Sequence, residues 1–418
     1  MIKLSSPSRV MQRRLSLGRH VGTRIFSIIS LAAIFFTYMF TTQTLTSNLS
    51  THVLHNQTLI VQHVRLTTFS IHKPKEIPQE TILQDDHKPF YRPINHIIKE
   101  MINKSNENLP EFDILESTTL TRRFKQRAHE FFKEGCKVRF FMTWISPSMR
   151  VFGEREFIAL DALFKSNTNS CLMILSNTMD SSYGFQILKP ITDRGFRVQA
   201  ITPDLEFLFK NTPAQSWLDH IKNGKRNPGK IPLAQNLSNL IRLAVLYKYG
   251  GVYIDTDFII LKDFSGLRNS IGAQSASRSG NWTRLNNAVL VFDKNHKLLY
   301  KFMEEFAATF DGNKWGHNGP YLVSRVVERE AAKLELNFTV LPPKAFYPVD
   351  WTRVGSFFTT PVNQVKRRWV EAKVDQLNRL SYGVHLWNKQ SCKLRIEEGS
   401  IMARLILNNC VTCNVNNS

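Results

Sequence analysis

Residues 237–264 read LSNLIRLAVLYKYGGVYIDTDFIILKDF. Apolar residues recur at helical spacing up to Tyr249, and the glycine pair Gly250–Gly251 then stops the pattern. The run that follows, VYIDTDFII over 252–260, is aromatic and apolar and predicts a buried strand. Two aspartates, Asp255 and Asp257, interrupt it one residue apart. A buried strand does not carry two carboxylates without a reason, because each is costly to desolvate and they repel one another. The helix, the glycine pair and the apolar strand together restrict the chain to a helix-and-sheet fold.

The flanking sequence has the same alternation. VRFFMTWI (138–145), CLMILSN (171–177), FRVQAIT (196–202) and NNAVLVFD (286–293) predict strands. TRRFKQRAHEFFKE, EREFIALDALFKS and FQILKPITDRG predict helices between or before them. Alternating helices and uninterrupted apolar strands imply an α/β domain with a mostly parallel central sheet. In a strand, residues i and i+2 face the same side. With the strand ending at Ile254, Asp255 and Asp257 converge at its carboxyl end, where open α/β sheets bind their ligands. A divalent cation relieves the repulsion, and hard oxygen donors select Mn2+ or Mg2+, ions that bridge carboxylates to phosphates.

The 418-residue chain has a formal net charge of +21, unevenly placed. No Asp or Glu precedes Glu76, whereas Lys3, Arg9, Arg13, Arg14, Arg19 and Arg24 all precede Ile25. No Arg-rich recognition helix, zinc finger or RNA-binding aromatic signature accompanies the charge, so a nucleic-acid partner is not expected. IFSIISLAAIFFTYMF over 25–40 is uncharged and almost wholly apolar. With its flanks it reaches the length of a spanning helix, and basic residues lie only on its amino-terminal side. This predicts a cytoplasmic tail (1–24), a transmembrane signal anchor (25–44), a polar stem (45–115) and a lumenal catalytic domain (116–418). Sequons at Asn48, Asn56, Asn103, Asn236, Asn281, Asn337 and Asn416 agree with a lumenal fate. Asn236 and Asn281 fall near the expected site and can be unused. In an oxidising lumen some of Cys136, Cys171, Cys392, Cys410 and Cys413 pair. Cys136 and Cys171 lie at the starts of two strands and can be neighbours. The CVTC of 410–413 is a local disulfide or a pair of buried thiols before it is half a zinc site.

The segment 237–264 resembles the signature of the α1,4-glycosyltransferase family. So do FFMTWISPS, FGEREFIALDALFK, TPDLEFLFKNTPA, DGNKWGHNGPYLVSRVV and SYGVHLWNKQSCKLRIEEGSIMARLI, which carry the resemblance over about residues 136–415. It implies a GT-A fold and a type II Golgi membrane enzyme. The implied reaction moves a hexose or N-acetylhexosamine from a UDP-sugar donor to a glycan, glycolipid or glycoprotein acceptor, with retention of the α configuration. It also implies roles. Asp257 ligates the metal, and Asp255 reaches the ribose or the metal's water shell. Asn239 and Arg242, three apart on one helical face, lie near the donor, with Asn239 standing where many relatives have Asp. Asn287 lies near the donor sugar. His385 and Trp387 match a late segment that supplies a metal or diphosphate contact. In WGHNGPYL (315–322), Gly319 and Pro320 mark a turn into a helix whose amino terminus can face an anion, and His317 and Asn318 are donor-sugar or acceptor candidates. The bland alternative there is a tight turn with Trp315 packed in the core. Asp311 and Asp350 are available carboxylates if a covalent intermediate forms; front-face attack is the family expectation. The competing function is an inactive GT-A-fold subunit that binds a glycan or a partner. The remaining positive charge hints at an acidic acceptor or a membrane lipid.

Overall fold

The computed structural model describes residues 113–145, 152–330 and 337–413. The expected tail and anchor, nearly all of the stem, and the sequons at Asn48, Asn56, Asn103 and Asn416 lie outside the described residues. Among the described residues no helix is long and apolar enough to cross a membrane.

The elements that position the site are α1 (Phe124–Phe132), β1 (Arg139–Thr143), α2 (Glu154–Ser166), β2 (Cys171–Leu175), α3 (Ser182–Thr192), β3 (Arg197–Ile201), α4 (Leu233–Tyr249), β4 (Gly251–Ile254), β5 (Phe258–Ile260), β6 (Ser270–Ala276), β7 (Trp282–Phe292), α5 (Lys297–Thr309), α6 (Pro320–Glu330), β8 (Thr339–Leu341), α7 (Gln364–Leu380), β9 (Gly383–His385) and α8 (Ile401–Asn408). Seven strands form one sheet in the order β3-β2-β1-β4-β7-β6-β8. Pairing is parallel from β3 through β4 and again between β6 and β8; β7 runs antiparallel to both neighbours. The mostly parallel sheet is as expected, while the reversed β7 was not foreseen. Its apolar run carries no signal of direction.

The strands are apolar throughout because both faces of the sheet are covered. Phe140, Met142, Val252 and Ile254 point into one core, with residues of α2, α3, α7 and α8. Phe141 and Tyr253 point into the other, with α1, α4, α5 and α6. Helix α4 packs against the sheet with Leu237, Leu240, Ile241, Leu243, Ala244, Val245 and Leu246 buried. Its glycine pair meets two demands. Gly250 and Gly251 have φ of 65° and 127°, and a Cβ on Gly251 would lie 2.4 Å from the Arg139 carbonyl oxygen. Only glycine fits there.

The apolar run over 252–260 divides at Ile254, as the convergence of the two aspartates requires. β4 stops at Ile254, and the Phe258 amide closes a turn by donating to the Asp255 carbonyl at 3.2 Å. β5 then leaves the main sheet and pairs antiparallel with β9. The physical reason lies in the aspartates: a continuous strand would drive one or both carboxylates into an apolar interior, whereas a turn leaves them at the sheet edge. Cys136 and Cys171 form a disulfide across 35 residues, tying the approach to β1 to the start of β2. In the chain-entropy picture a loop of this length contributes about 4 kcal/mol. Cys410 and Cys413 form a local disulfide, and Cys392 is free and exposed.

Candidate active site

Asp255 and Asp257 stand at the carboxyl end of β4. The two-stranded sheet brings a third group to them. In its register Phe258 faces His385, Ile259 faces Val384 and Ile260 faces Gly383. Gly383 admits this approach because a Cβ there would meet the Phe258 ring at 2.3 Å. His385 Nε2 therefore lies 3.4 Å from an Asp257 oxygen and 3.9 Å from an Asp255 oxygen. One donor atom from each of Asp255, Asp257 and His385 falls within 4.8 Å of the others. Two carboxylate oxygens and an imidazole nitrogen form a donor set that could hold a divalent metal ion.

Each of the three is fixed differently. Asp255 lies 3.1 Å from Arg242 Nη1 and accepts the Tyr253 hydroxyl at 3.0 Å. Tyr253 sits two residues earlier on β4, so strand alternation points it to the same side. Arg242 is 3% exposed. It donates to the Asn287 carbonyl at 2.8 Å, to Ser238 through the carbonyl and hydroxyl at 3.2 Å, and lies 4.4 Å from the Tyr253 ring centre. Burial opposes the charge on Asp255, but Arg242, His385 and Tyr253 outweigh it and hold the carboxyl below its ordinary range. Asp257 accepts the Asn388 amide at 2.8 Å, and its own carbonyl accepts from the Leu386 amide at 2.8 Å. For His385, burial disfavours the charged form, yet the Asp257 and Asp255 carboxylates raise its pKa above the usual histidine value.

Trp387 holds His385 rather than facing outward alone. Its amide donates to His385 Nδ1 at 3.1 Å, its ring packs on the imidazole at 4.4 Å, and its indole N–H donates to the Val349 carbonyl at 2.9 Å. Trp387 has φ 54°, left-handed backbone that a bulky residue adopts only under constraint from its surroundings.

Asn239, Asn287 and Gly319 also meet. Asn287 Nδ2 donates to Asn239 Oδ1 at 2.9 Å, and a Cβ on Gly319 would lie 2.9 Å from that oxygen. Since the Asn287 carbonyl holds Arg242, this cluster ties α4, β7 and the start of α6 to Asp255. Asn318 takes part in a different network. Its side chain donates to Asn236 Oδ1 and the Asp311 carbonyl, both at 2.9 Å, and accepts the Asp311 amide at 3.1 Å. Asn236, 3% exposed and bound to Asn318, has no room for a glycan, whereas Asn281 and Asn337 are exposed. His317 is half-buried with Nε2 2.8 Å from the Thr309 carbonyl oxygen. Trp315 is not packed in the core: it is 54% exposed, with Lys389 Nζ 3.8 Å from its ring centre. Asp311 is engaged by the Asn313 amide and Lys314, and Asp350 by Thr352.

Sequence reasoning missed several participants. Tyr253 and Ser238 carried a usable signal, being two before Asp255 on a strand and four before Arg242 on a helix. Thr143, which bridges them at 2.7 Å and 2.5 Å, carried none. Asn388 was missed as well; its amide binds Asp257, and its side-chain oxygen is buried with no hydrogen-bond partner among the described residues.

Two family models match. One, described as a glycosyltransferase sugar-binding region containing the DXD motif, covers residues 153–278, and the other, an alpha 1,4-glycosyltransferase conserved region, covers 291–416. A lactosylceramide 4-alpha-galactosyltransferase of Pongo pygmaeus is 34% identical over 51% of this chain and 94% of its own length. The chain belongs to the α1,4-glycosyltransferase family. Two further relatives in this family comparison are an alpha-1,4-N-acetylglucosaminyltransferase of Homo sapiens, 29% identical over 44% of this chain and 51% of its own, and an uncharacterized Arabidopsis thaliana protein, 30% identical over 68% and 43%. The chain spans about half the length of most curated relatives it matches. The aspartate turn lies in the first matched region and His385 in the second, so the site joins the two parts of the family signature.

Proposed function

We propose that this protein is a retaining, metal-dependent glycosyltransferase of GT-A type, moving a hexose or N-acetylhexosamine from a UDP-sugar to a glycan or glycolipid acceptor in an α linkage. The observation that carries the proposal is the convergence of Asp255, Asp257 and His385 at the carboxyl end of β4. These three residues would hold Mn2+ or Mg2+, which, when bound, supplies Lewis-acid stabilisation of the departing diphosphate. The chain's own residues supply preorganisation. Arg242 and Tyr253 fix Asp255, the Asn388 amide fixes Asp257, and Trp387 fixes the imidazole plane. Held in this way, the two carboxylates need little rearrangement when a diphosphate arrives. Asp311 and Asp350 are tied into their own turns, which favours front-face attack over a covalent intermediate on either of them. We further propose, from the anchor expected over 25–44 and the family resemblance, a Golgi membrane enzyme with residues 116–418 lumenal.

The test uses the full chain in detergent with a panel of UDP-sugars, with and without Mn2+, beside Asp257→Ala. Metal-dependent turnover of one donor, lost in the variant, is the expected outcome. Turnover indifferent to both metal and variant would overturn the proposal. UDP binding without turnover on any acceptor would instead point to the non-catalytic subunit.

A further inference from the structure

The opposite end of β4 opens into a second cavity, of about 960 Å³. Tyr249 precedes the strand there, and Arg139 begins its neighbour β1. Four residues of β4 separate this cavity from the aspartates, roughly 13 Å of extended chain. The lining cations are Lys125, Lys133, Arg139, Lys210, Lys248 and Lys294, and no carboxylate lines the cavity among the described residues. Of the acids near these residues in sequence, Glu134 turns toward Arg197, Glu206 to Lys222 and Asp293 to Arg268, while Glu130 accepts from Gln126 at the cavity's edge. The positive charge is thus concentrated in a concave site, where low-dielectric walls focus it. Burial, Lys210 and Lys294 all push the Lys248 ammonium below the usual lysine range. Such crowding is relieved by a bound anion.

The floor is aromatic. Phe132, Phe207 and Tyr249 line it, with Lys248 Nζ 4.9 Å and Lys125 Nζ 6.0 Å from the Phe207 ring centre. Aromatic rings set beside cations match a ligand with apolar C–H faces and several anionic groups. The concavity suits a few such rings; a bilayer surface does not enter it.

We propose that this cavity is a second binding site, for an acidic saccharide whose sugar rings carry sulfate, phosphate or carboxylate groups. It is independent of the transferase proposal, since none of its lining residues belongs to the aspartate site.

Calorimetry on the full chain in detergent tests it with three probes: a heparin-derived hexasaccharide, neutral maltohexaose, and phosphatidylcholine vesicles containing phosphatidylserine. The heparin fragment should bind and maltohexaose should not. Lys248→Gln combined with Lys294→Gln should weaken heparin binding about a hundredfold, because each lost charged hydrogen bond is worth about tenfold. Lys366→Gln combined with Arg367→Gln, the same charge change on the exposed face of α7, should leave it within about twofold. Lys125→Gln with Lys133→Gln, exposed on α1 and at its carboxyl end, gives a second cavity variant. Equal weakening in cavity and α7 variants, no weakening in either cavity variant, or binding of vesicles but not the hexasaccharide would each overturn the proposal. UDP-sugar turnover should be the same in all of these variants.

Discussion

Asp180 and Asp255 are both paired with an arginine, yet the sites around them are built to opposite ends. Asp180 receives Arg127 through both oxygens at 2.6 Å and 2.7 Å, and Thr202 donates its amide at 2.8 Å and its hydroxyl at 2.7 Å. One negative charge meets one positive charge, and the lone pairs are filled. At the aspartate turn only Asp255 is paired with a guanidinium, that of Arg242, and both carboxylates flank the His385 imidazole. Negative charge is left over there, and the Asn388 side-chain oxygen beside it has no partner among the described residues. A closed carboxylate network holds the fold together. An open one, kept in place by rigid neighbours, has capacity for a cation.

The sharpest way to break this contrast is to remove one aspartate from each. Asp257→Ala should lower transfer about a thousandfold or more, the scale on which preorganised charge stabilisation acts. Its melting temperature should stay the same or rise, because like-charge repulsion with Asp255 is relieved. Asp180→Ala should do the reverse. It leaves Arg127, 18% exposed, facing no carboxylate, and should cost about 2–3 kcal/mol of stability in denaturant titrations. Its turnover per folded molecule should be unchanged. Loss of stability in Asp257→Ala, or loss of turnover in folded Asp180→Ala, would erase the distinction.

The two regions were not equally legible. The aspartate pair stood out because carboxylates broke an apolar run, and the glycine pair before it fixed the helix end. The parallel arrangement from β3 to β4 followed from alternating helices and apolar strands. The departure of β5 to a second sheet did not, since apolar residues flank the turn on both sides and a buried run looks the same whether or not it changes sheets. His385 was reached only through the family resemblance. Nothing local in GVHLW announces that it will pair opposite Phe258, more than a hundred residues away. The Asp180 network was not anticipated, because Arg127, Asp180 and Thr202 come from three separate segments and each alone reads as a surface polar residue.

A smaller effect extends the contrast to aromatic side chains. Trp217 is 1% exposed and packs edge-on against Phe306 and Phe310, as a core residue does. Trp315 is 54% exposed under Lys389, whose neighbour Asn388 binds Asp257. An open ring at that place suits stacking of an acceptor sugar. Trp315→Ala should raise the acceptor KM by up to about tenfold, the value of one aromatic contact, and Trp315→Phe should restore most of it. UDP-sugar hydrolysis without acceptor should not move. An equal loss in hydrolysis would assign Trp315 to the donor side instead.

The smallest effect is a pH dependence, and its sign separates the closed network from the open one. Burial alone would raise the Asp180 pKa, but the hydrogen bonds from Arg127 and Thr202 outweigh it and hold the carboxyl below its ordinary value near 4. A group whose pKa is lower folded than unfolded binds protons more tightly in the unfolded chain. Its stabilisation is therefore fully present above the unfolded value and drains away as pH falls through the folded one. The stability gap between the wild-type chain and Asp180→Asn, which keeps the shape but not the charge, should be constant from neutral pH down to about 5 and shrink as pH falls below about 4. Denaturant midpoints measured across that range read it directly. A gap that instead stayed constant on acidification would mean that Asp180 is held by its shape and hydrogen bonds alone, and that its charge does not stabilise the fold.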